Sequence, residues 1–460
     1  MTADTPPQIS TPTGAAKAPK VAVVGAGYVG LVVAAGLAEL GAQVTVVDVN
    51  EAKVNELRRG VTSIYEPGLV ELVARSAQSG RLSFTASYSH ALTDADFVMV
   101  CVPTPPTPDG SLDPSFLRSA YDAILSEGSR PGTIVVNKST VPVGTADAAS
   151  REFELHGMSV VSNPEFLSAG RAVENFLQPS RIIIGARDLR AAERVASLYA
   201  GLDAPIVFTD PVTAELSKLA ANAFLAMKIS FANALSQVAE AVGADGATLV
   251  RALSLDPRIG EGHLRAGLGY GGSCLPKDLA AVEHLARATG SSYELFQAVA
   301  AVNHKQRRRV VEILTSQLGE LAGRRIGILG IAFKAGTDDI RESPGLALAR
   351  HLFELGAQIR VYDPAANDHL ARVTKSFEIC DSAEAAITDA HAIVIATDWP
   401  EFGMLDFGGA FGKVRGTVIV DGRGVLDGDG MRSKGFRYFT LATGERKHSA
   451  SPEHEEAIAK

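Results

Sequence analysis

The sequence is short of the features that mark disulfide-stapled, membrane-spanning or polyanion-binding chains. Three cysteines, Cys101, Cys274 and Cys380, are too few for a disulfide framework and match no zinc-ligand spacing. That scarcity fits a reducing, cytoplasmic setting. There is no basic excess: 44 Lys and Arg stand against 52 Asp and Glu, for a net charge of −8. This argues against a nucleic-acid or anionic-membrane surface, while leaving room for a local basic pocket. Long apolar runs are missing too, and a stretch such as Phe97 to Val102 is far too short to cross a bilayer. What is present, 46% hydrophobic and 21% charged residues over a length of 460, is the composition of an ordinary globular chain. That length suggests about three domains. Residues 1–19, rich in Thr, Pro and Ala, and residues 445–460 read as flexible tails.

The folded part opens with Val21-Ala-Val-Val24, a β-branched run, followed by Gly25-Ala-Gly27-Tyr-Val-Gly30. Val29, Val32, Val33, Leu37 and Leu40 then recur at helical spacing, and Gly41 stands where a C-capping glycine would. Val44 to Asp48 completes a strand–helix–strand unit. Further strands over 96–102 and 133–137, with a helical pattern over 114–127 between them, predict a parallel, doubly wound sheet.

The order of short words then repeats. Glu39-Leu-Gly-Ala-Gln43 returns as Glu354 to Gln358, Thr93-Asp-Ala95 as Thr388 to Ala390, and Gly132-Thr-Ile-Val-Val136 as Gly416-Thr-Val-Ile-Val420. Residues 324–440 therefore read as a second, shorter doubly wound unit. It carries about ten extra residues after its first strand, over Phe333 to Glu342, where parallel sheets place ligand loops. Between the units, 211–310 reads as helical. Asp210-Pro211 is an N-cap with proline at the first helical position, and 213–242 is a long Ala-rich amphipathic helix, a spacer and an oligomer interface. The predicted division is 1–19 tail, 20–210 dinucleotide-binding Rossmann domain, 211–310 central helical region, 311–444 second Rossmann-like domain and 445–460 tail.

The glycine motif sits in the context its chemistry requires. Gly25 permits the tight turn, Gly27 lets backbone approach a pyrophosphate, and Gly30 allows the helix to pack on the strand. The helix N-terminus offers amide donors and a positive dipole end. Asp48, at the end of the second strand, is placed to accept from a ribose diol and would repel a 2′-phosphate, so NAD is the expected cofactor. The second unit has only Gly327 and Gly330, so it either binds a nucleotide differently or is a packing duplicate.

A second glycine-rich stretch, Gly269-Tyr-Gly-Gly-Ser-Cys-Leu-Pro-Lys-Asp278, ends at the start of a predicted helix. Cys274 at that N-terminus, with Lys277 beside it, is expected to have a depressed pKa and thiolate character. Asp278 lies on the same face. Cys101 and Cys380, in or near apolar strands, read as small buried hydrophobes. Glu215, Lys218 and Asn222 share one face of the central helix, either as a solvated stripe or as a site. Asn137 to Thr140 lies at a strand end, and Asn163-Pro-Glu-Phe-Leu167 puts a glutamate in a loop, as a structural anion or a base. Phe333-Lys334 and Asp421-Gly-Arg423 occupy strand-end loops of the second unit, with two basic groups suited to a phosphate. No metal cluster is expected. An activated cysteine beside a hydride acceptor suggests oxidation through a thiohemiacetal and a thioester.

These words together make the chain resemble the UDP-glucose/GDP-mannose dehydrogenase family: GAGYVG (25–30), YEPGL (65–69), KSTVPVGT (138–145), NPEFL (163–167), the run 214–235, DPRIG (256–260), GYGGSCLPKD (269–278), IAFKAGTDDIRESP (331–344) and DGR (421–423). The resemblance covers about 20–440. It implies two Rossmann-like domains joined by a long dimerising helix. It also implies NAD-dependent four-electron oxidation of a nucleotide sugar at C6, nearest the UDP-glucose branch, with UDP-glucuronate as product. By the same resemblance Cys274 is the nucleophile, and Lys218 and Asp278 hold the alcohol oxygen and later the water. Thr140, Glu165 and Asn222 complete the proton network, with Glu165 as general base. Gly25, Gly27, Tyr28, Val29, Gly30, Asp48, Lys53, Thr104, Thr140, Lys277 and Arg341 line the NAD site. Glu165, Phe166, Leu167, Lys218, Asn222, Arg265, Tyr270, Gly271, Phe333, Lys334 and Arg423 hold the UDP-sugar, and Arg258 reaches a neighbouring subunit's substrate, so a homodimer or larger homo-oligomer is implied.

Two positions depart from the family pattern. Ala169 stands where a second carboxylate is common, so any role for that acid must be absent or reassigned. His263-Leu-Arg265 replaces an aromatic followed by Lys or Asn, in a loop that faces the substrate in relatives. GDP-mannose and UDP-N-acetylhexosamines are therefore the rival substrates. A two-electron dehydrogenase using Lys218 alone, and a non-catalytic nucleotide sensor, are the rival activities. The joint presence of Cys274, Lys218 and Asp278 argues against the sensor.

Overall fold

The structure is a computed structural model that describes residues 18–62 and 64–441. The tail expected over 445–460, and all but the last two residues of the one expected over 1–19, lie outside the described residues.

Eight strands form the first sheet: β1 (Lys20–Val24), β2 (Gln43–Val47), β3 (Leu82–Thr85), β4 (Phe97–Val100), β5 (Ile134–Asn137), β6 (Ser159–Ser162), β7 (Ile182–Gly185) and β8 (Ile206–Thr209). Their spatial order is β3-β2-β1-β4-β5-β6-β7-β8, parallel throughout except where β7 meets β6 at Ser162 and Gly185. Six more strands form the second sheet: β9 (Arg325–Leu329), β10 (Gln358–Tyr362), β11 (Glu378–Ile379), β12 (Ala392–Ile395), β13 (Val418–Asp421) and β14 (Arg437–Thr440). Its order, β11-β10-β9-β12-β13-β14, repeats the first six positions of the first sheet. The repeated words of the sequence thus fall on equivalent elements. Strands such as FVMV and AIVI are buried at every position, as expected of parallel strands covered by helices on both faces.

Between the sheets runs the central helix Pro211–Val242. Asp210 caps it by accepting from the Thr213 amide at 2.9 Å, proline opens it, and Gly243 closes it in the left-handed region. Two helices pack on it, Leu275–Ala288 and Glu294–Leu318. The latter crosses residue 310 without a break, and its Val310 and Leu314 are buried in the core of the second sheet. Among the described residues, the central helix is long and apolar enough by composition to cross a membrane, an 18-residue window of it having a mean hydropathy of 1.2. Its buried face, however, carries Glu215, Lys218, Asn222 and Asn233, groups that need polar partners inside a protein.

Candidate functional site

The glycine motif turns from β1 into the helix Tyr28–Glu39. Gly25 is needed for its φ of +100°, and a Cβ there would meet the Cys101 carbonyl at 2.6 Å. A Cβ at Gly30 would strike the Gly25 carbonyl oxygen. Gly27 differs, because a Cβ there meets nothing within 4 Å, and no side chain caps the helix it precedes. Free amides facing open space beside Gly27 are what a pyrophosphate requires, so these residues fit a dinucleotide. Asp48, expected to accept from a ribose, already accepts from the Ala26 amide at 2.8 Å and the Asn50 amide at 2.9 Å, with Lys53 at 3.4 Å. These contacts fix its orientation. The equivalent acid of the second sheet, Asp363, is 1% exposed and accepts from the amides of Ile331, Ala332, Ala365 and Ala366 and from Trp399. There the repeat keeps the acid as a packing element. Thr104 donates to the Thr140 carbonyl at 2.5 Å, joining the loops after β4 and β5.

Across the cleft, the central helix, the helix Leu275–Ala288 and the loop after β6 bring four polar side chains together in buried surroundings. Lys218 pairs with Glu165 at 2.8 Å, and Asn222 donates to Asp278 at 2.5 Å. Lys218 is 3% exposed and Asp278 0%. The solvated-stripe alternative for Glu215, Lys218 and Asn222 therefore fails, since all three are buried. Glu215 nonetheless stands apart from the others. It accepts from the Gly144 and Ala146 amides and from Ser162, and so anchors the start of the helix Thr145–Leu155. A cavity of about 10 Å³, room for about one water, is lined by Thr140, Ser162, Glu215 and Lys218.

Electrostatics couple the cluster. Burial pushes the Glu165 carboxyl up, but the Lys218 ammonium, the Leu167 amide and Lys138 outweigh it and hold the carboxyl below its ordinary range. Burial pushes Lys218 down, and Glu165, Asp278 and Cys274 more than restore it. Cys274 corrects an expectation. It does sit at the N-cap of its helix and is exposed, but its thiol lies above the ordinary value. The crowded cleft desolvates it, Glu165 and Asp278 oppose its ionisation, and only Lys218 and Ser273 favour it. Lys277, expected to lower it, donates instead to Asp278 at 2.8 Å. Cys101 and Cys380 are buried as expected, the former pushed up to about 12 by burial.

The second sheet supplies the other wall. The Gly267–Gly272 loop lies against the inserted segment after β9. A Cβ at Gly271 would strike the Glu342 carbonyl, and one at Gly272 would meet the Phe333 ring at 2.8 Å. Arg341, whose carbonyl accepts from the Gly272 amide at 3.1 Å, has its guanidinium on Asp339. Lys334 reaches across to donate to the Ser168 hydroxyl at 2.9 Å. Arg423 donates to the carbonyls of Ala396, Gly269 and Phe333, so it braces the loop to β12 and to the inserted segment. Tyr270 is buried, and the Phe166 ring lies under the Arg181 guanidinium at 3.8 Å. Leu167 gives its amide to Glu165 at 2.5 Å. Arg258 and Arg265 are exposed, and Arg258 is held by Asp256 rather than by any group of this cluster. His263 adopts a φ of +63°.

Several residues that shape the site escaped the sequence reading. Glu66 accepts from the Gly170 and Ala172 amides and from Tyr28. It thus ties the glycine motif to the loop after Glu165, and its glutamate in a YEPGL turn before a helix was the available signal. Asn303 clamps Tyr270 by accepting from its amide at 2.8 Å and donating to its carbonyl at 3.0 Å, while Asn233 accepts from the Gly267 amide at 2.7 Å. Polar residues on the buried face of long helices were the signal for those two.

The comparisons agree along the length of the chain. The models of the UDP-glucose/GDP-mannose dehydrogenase family match at 19–203 (NAD binding domain), 212–305 (central domain) and 327–428 (UDP binding domain). The UDP-glucose 6-dehydrogenase TuaD of Bacillus subtilis is 37% identical over 92% of this chain and 93% of its own. The UDP-glucose 6-dehydrogenase AglM of Haloferax volcanii is 40% identical over 92% and 100%. A UDP-glucose dehydrogenase structure from Pyrobaculum islandicum superposes with a TM-score of 0.87 at 41% identity, covering 94% of this chain and 99% of that one. A UDP-D-ManNAc dehydrogenase structure from Pyrococcus horikoshii gives 0.81 at 28% identity, covering 92% and 99%.

Proposed function

The chain belongs to the UDP-glucose/GDP-mannose dehydrogenase family, and from that premise we propose that it oxidises UDP-glucose to UDP-glucuronate through a covalent intermediate on Cys274. The family assignment makes it an NAD-dependent nucleotide-sugar 6-dehydrogenase. NAD, when bound, takes up a hydride from C6 in each of two oxidations. The observation that carries the cysteine route is the convergence of Lys218, Glu165, Asn222 and Asp278 in one buried, paired cluster whose charges act on the exposed thiol of Cys274.

Each residue then has a defined task. Glu165, already ionised and buried, takes the proton from the C6 hydroxyl as hydride leaves. Lys218 turns from Glu165 to the developing alkoxide, where a pre-oriented ammonium in a water-poor site is most effective. The Cys274 sulfur adds to the aldehyde carbon, the thiol proton ending on the former carbonyl oxygen, and gives a thiohemiacetal. Loss of the second hydride, with the thiohemiacetal hydroxyl proton passing to a neighbouring carboxylate, leaves a thioester. Water held by Asp278, Asn222 and Thr140 attacks that carbonyl, Lys218 stabilises the oxyanion, and the C–S bond breaks to return the thiol and the carboxylate product.

Gly25, Gly27, Tyr28, Val29, Gly30, Asp48, Lys53, Thr104, Lys277 and Arg341 are assigned to the dinucleotide. Phe166, Leu167, Arg265, Tyr270, Gly271, Phe333, Lys334 and Arg423 are assigned to the UDP-sugar, the basic groups facing its diphosphate. The exposed stripe Leu216, Phe224, Phe231, Val238 and Val242 on the central helix is assigned to a homodimer, with Arg258 reaching the other subunit's substrate. UDP-glucose is preferred over UDP-N-acetylhexosamines and GDP-mannose because relatives named for UDP-glucose are about 40% identical over nearly the whole chain. Initial rates on the three substrate classes test this choice. The highest kcat/KM on UDP-glucose supports it, and a higher value on either rival moves the specificity to the loop around His263 and Arg265.

A further inference from the structure

We propose that Lys138 is a positioning residue for Glu165: its buried ammonium fixes the turn that carries the acid and stays beside it when Lys218 is drawn to the substrate oxygen. This rests on the reading of Glu165 as general base.

Lys138 follows β5 directly and is 5% exposed. Among the described residues no carboxylate lies within ion-pair distance of its ammonium, and it is absent from every salt bridge of the cluster. Its Nζ donates to Asn163 Oδ1 at 3.2 Å and lies 3.5 Å from Tyr199 Oη. Asn163 is held on two further sides, since Tyr199 Oη donates to its Oδ1 at 2.6 Å and its Nδ2 donates to the Ile183 carbonyl at 2.7 Å. Pro164 follows, with φ fixed by its ring, and Glu165 comes next. The lysine, the asparagine and the proline therefore set where the Glu165 backbone lies. Lys138, Asn163, Glu165 and Tyr199 also line one cavity of about 140 Å³ behind the loop.

A buried cation without a contacting anion is costly, and an apolar side chain of similar volume often packs as well or better. Packing alone does not account for a lysine here. Its charge acts on Glu165, which faces Lys218, Lys138, Cys101, Cys274 and Tyr28 from the surrounding elements. Of these, only the two lysines carry positive charge. In the resting site Lys218 holds Glu165 at 2.8 Å. Once an alkoxide or oxyanion at C6 competes for Lys218, Lys138 still acts on the carboxylate, with the Arg181 guanidinium at the wall of the same cavity. Burial pushes Lys138 itself down to about 8, with Lys218 acting in the same direction and Cys101 and Glu165 against it. The ammonium is therefore retained at neutral pH.

The test compares pH profiles of kcat, measured with saturating NAD and nucleotide sugar, for the wild type, Lys138→Met, Lys138→Arg and Glu165→Gln. Lys138→Met is expected to lower kcat about tenfold, to leave KM within about twofold, and to move the acidic limb up by about one pH unit, as loss of a nearby cation requires. Lys138→Arg is expected to restore the limb. Glu165→Gln is expected to abolish it. An unmoved limb in Lys138→Met beside a missing limb in Glu165→Gln overturns this proposal and leaves the base in place. A limb that survives Glu165→Gln overturns the base and this proposal together. If Lys138→Met does not fold, Lys138→Gln keeps a hydrogen-bond donor without the charge, and the same limb shift, present or absent, decides.

Discussion

Cys274 stands at the N-terminus of its helix with a thiol that the cleft keeps protonated. Two carboxylates of the cluster, Glu165 and Asp278, work against its ionisation, and Lys218 works for it. Alkylation by iodoacetamide is accordingly expected to be slow at neutral pH and to rise with pH past the ordinary thiol range. At one fixed pH, Glu165→Gln should react faster and Lys218→Met more slowly. A rate that levels off below the ordinary thiol range, or the reverse order of variants, contradicts this. The Lys218–Glu165 pair makes a second prediction. Lys218→Met leaves a buried carboxylate without its partner and should cost about 3–5 kcal/mol in urea unfolding, much of it recovered in the double variant with Glu165→Gln. The sign with pH follows from the shifts. Glu165 is held below its ordinary value, so its contribution is present above that value and is lost as pH falls through the folded one. Lys218 is held above its ordinary value, so its contribution is lost only as pH rises through the folded one. The stability difference between wild type and Lys218→Met should therefore shrink at both extremes.

At the level of elements, the glycines divide into those that pack against protein and those that face open space. Gly271 lies against the Glu342 carbonyl, and Gly27 against nothing within 4 Å. Gly271→Ala must push the cysteine loop off the inserted segment and is expected to lower kcat/KM at least about tenfold. Gly27→Ala is expected to leave Tm nearly unchanged while raising KM for NAD; a large fall in Tm would mean that its role is structural. The strand, turn and helix around Gly25 to Gly30 were legible because each local preference agrees with the fold. So was the capped start of the central helix at Asp210-Pro211. What stayed hidden was pairing across long separations in sequence. That Asp363 is consumed by four backbone amides while Asp48 keeps its place by the glycine motif cannot be read from two aspartates at equivalent strand ends. Likewise the cysteine at a helix N-terminus with a lysine three residues on suggested a thiolate, because nothing local showed that Lys277 turns to Asp278 or that Glu165 arrives from another loop.

Across the molecule, one six-strand winding occurs twice, and the site lies where the two copies meet along the central helix. Lys334 on Ser168, and Gly336 packed against Gly170, close the far side of the cleft. The repeat was visible as three short words in register, and these fall on equivalent elements of two sheets with the same strand order. The outer face of the central helix carries Phe224 at 55% and Phe231 at 54% exposure, a large apolar commitment for a lone chain. If the proposed homodimer forms through this face, Phe224→Glu with Phe231→Glu is expected to shift it to monomer in light scattering and to reduce turnover, as the role proposed for Arg258 requires. A wild-type protein that is already monomeric contradicts that arrangement. The central claim, that Cys274 carries the sugar through two oxidations, is tested most directly by the NADH formed per UDP-glucose consumed, followed by absorbance. The cysteine route predicts two equivalents, with steady turnover lost in Cys274→Ser. One equivalent, or a Cys274→Ser variant that turns over at the wild-type rate, would contradict it.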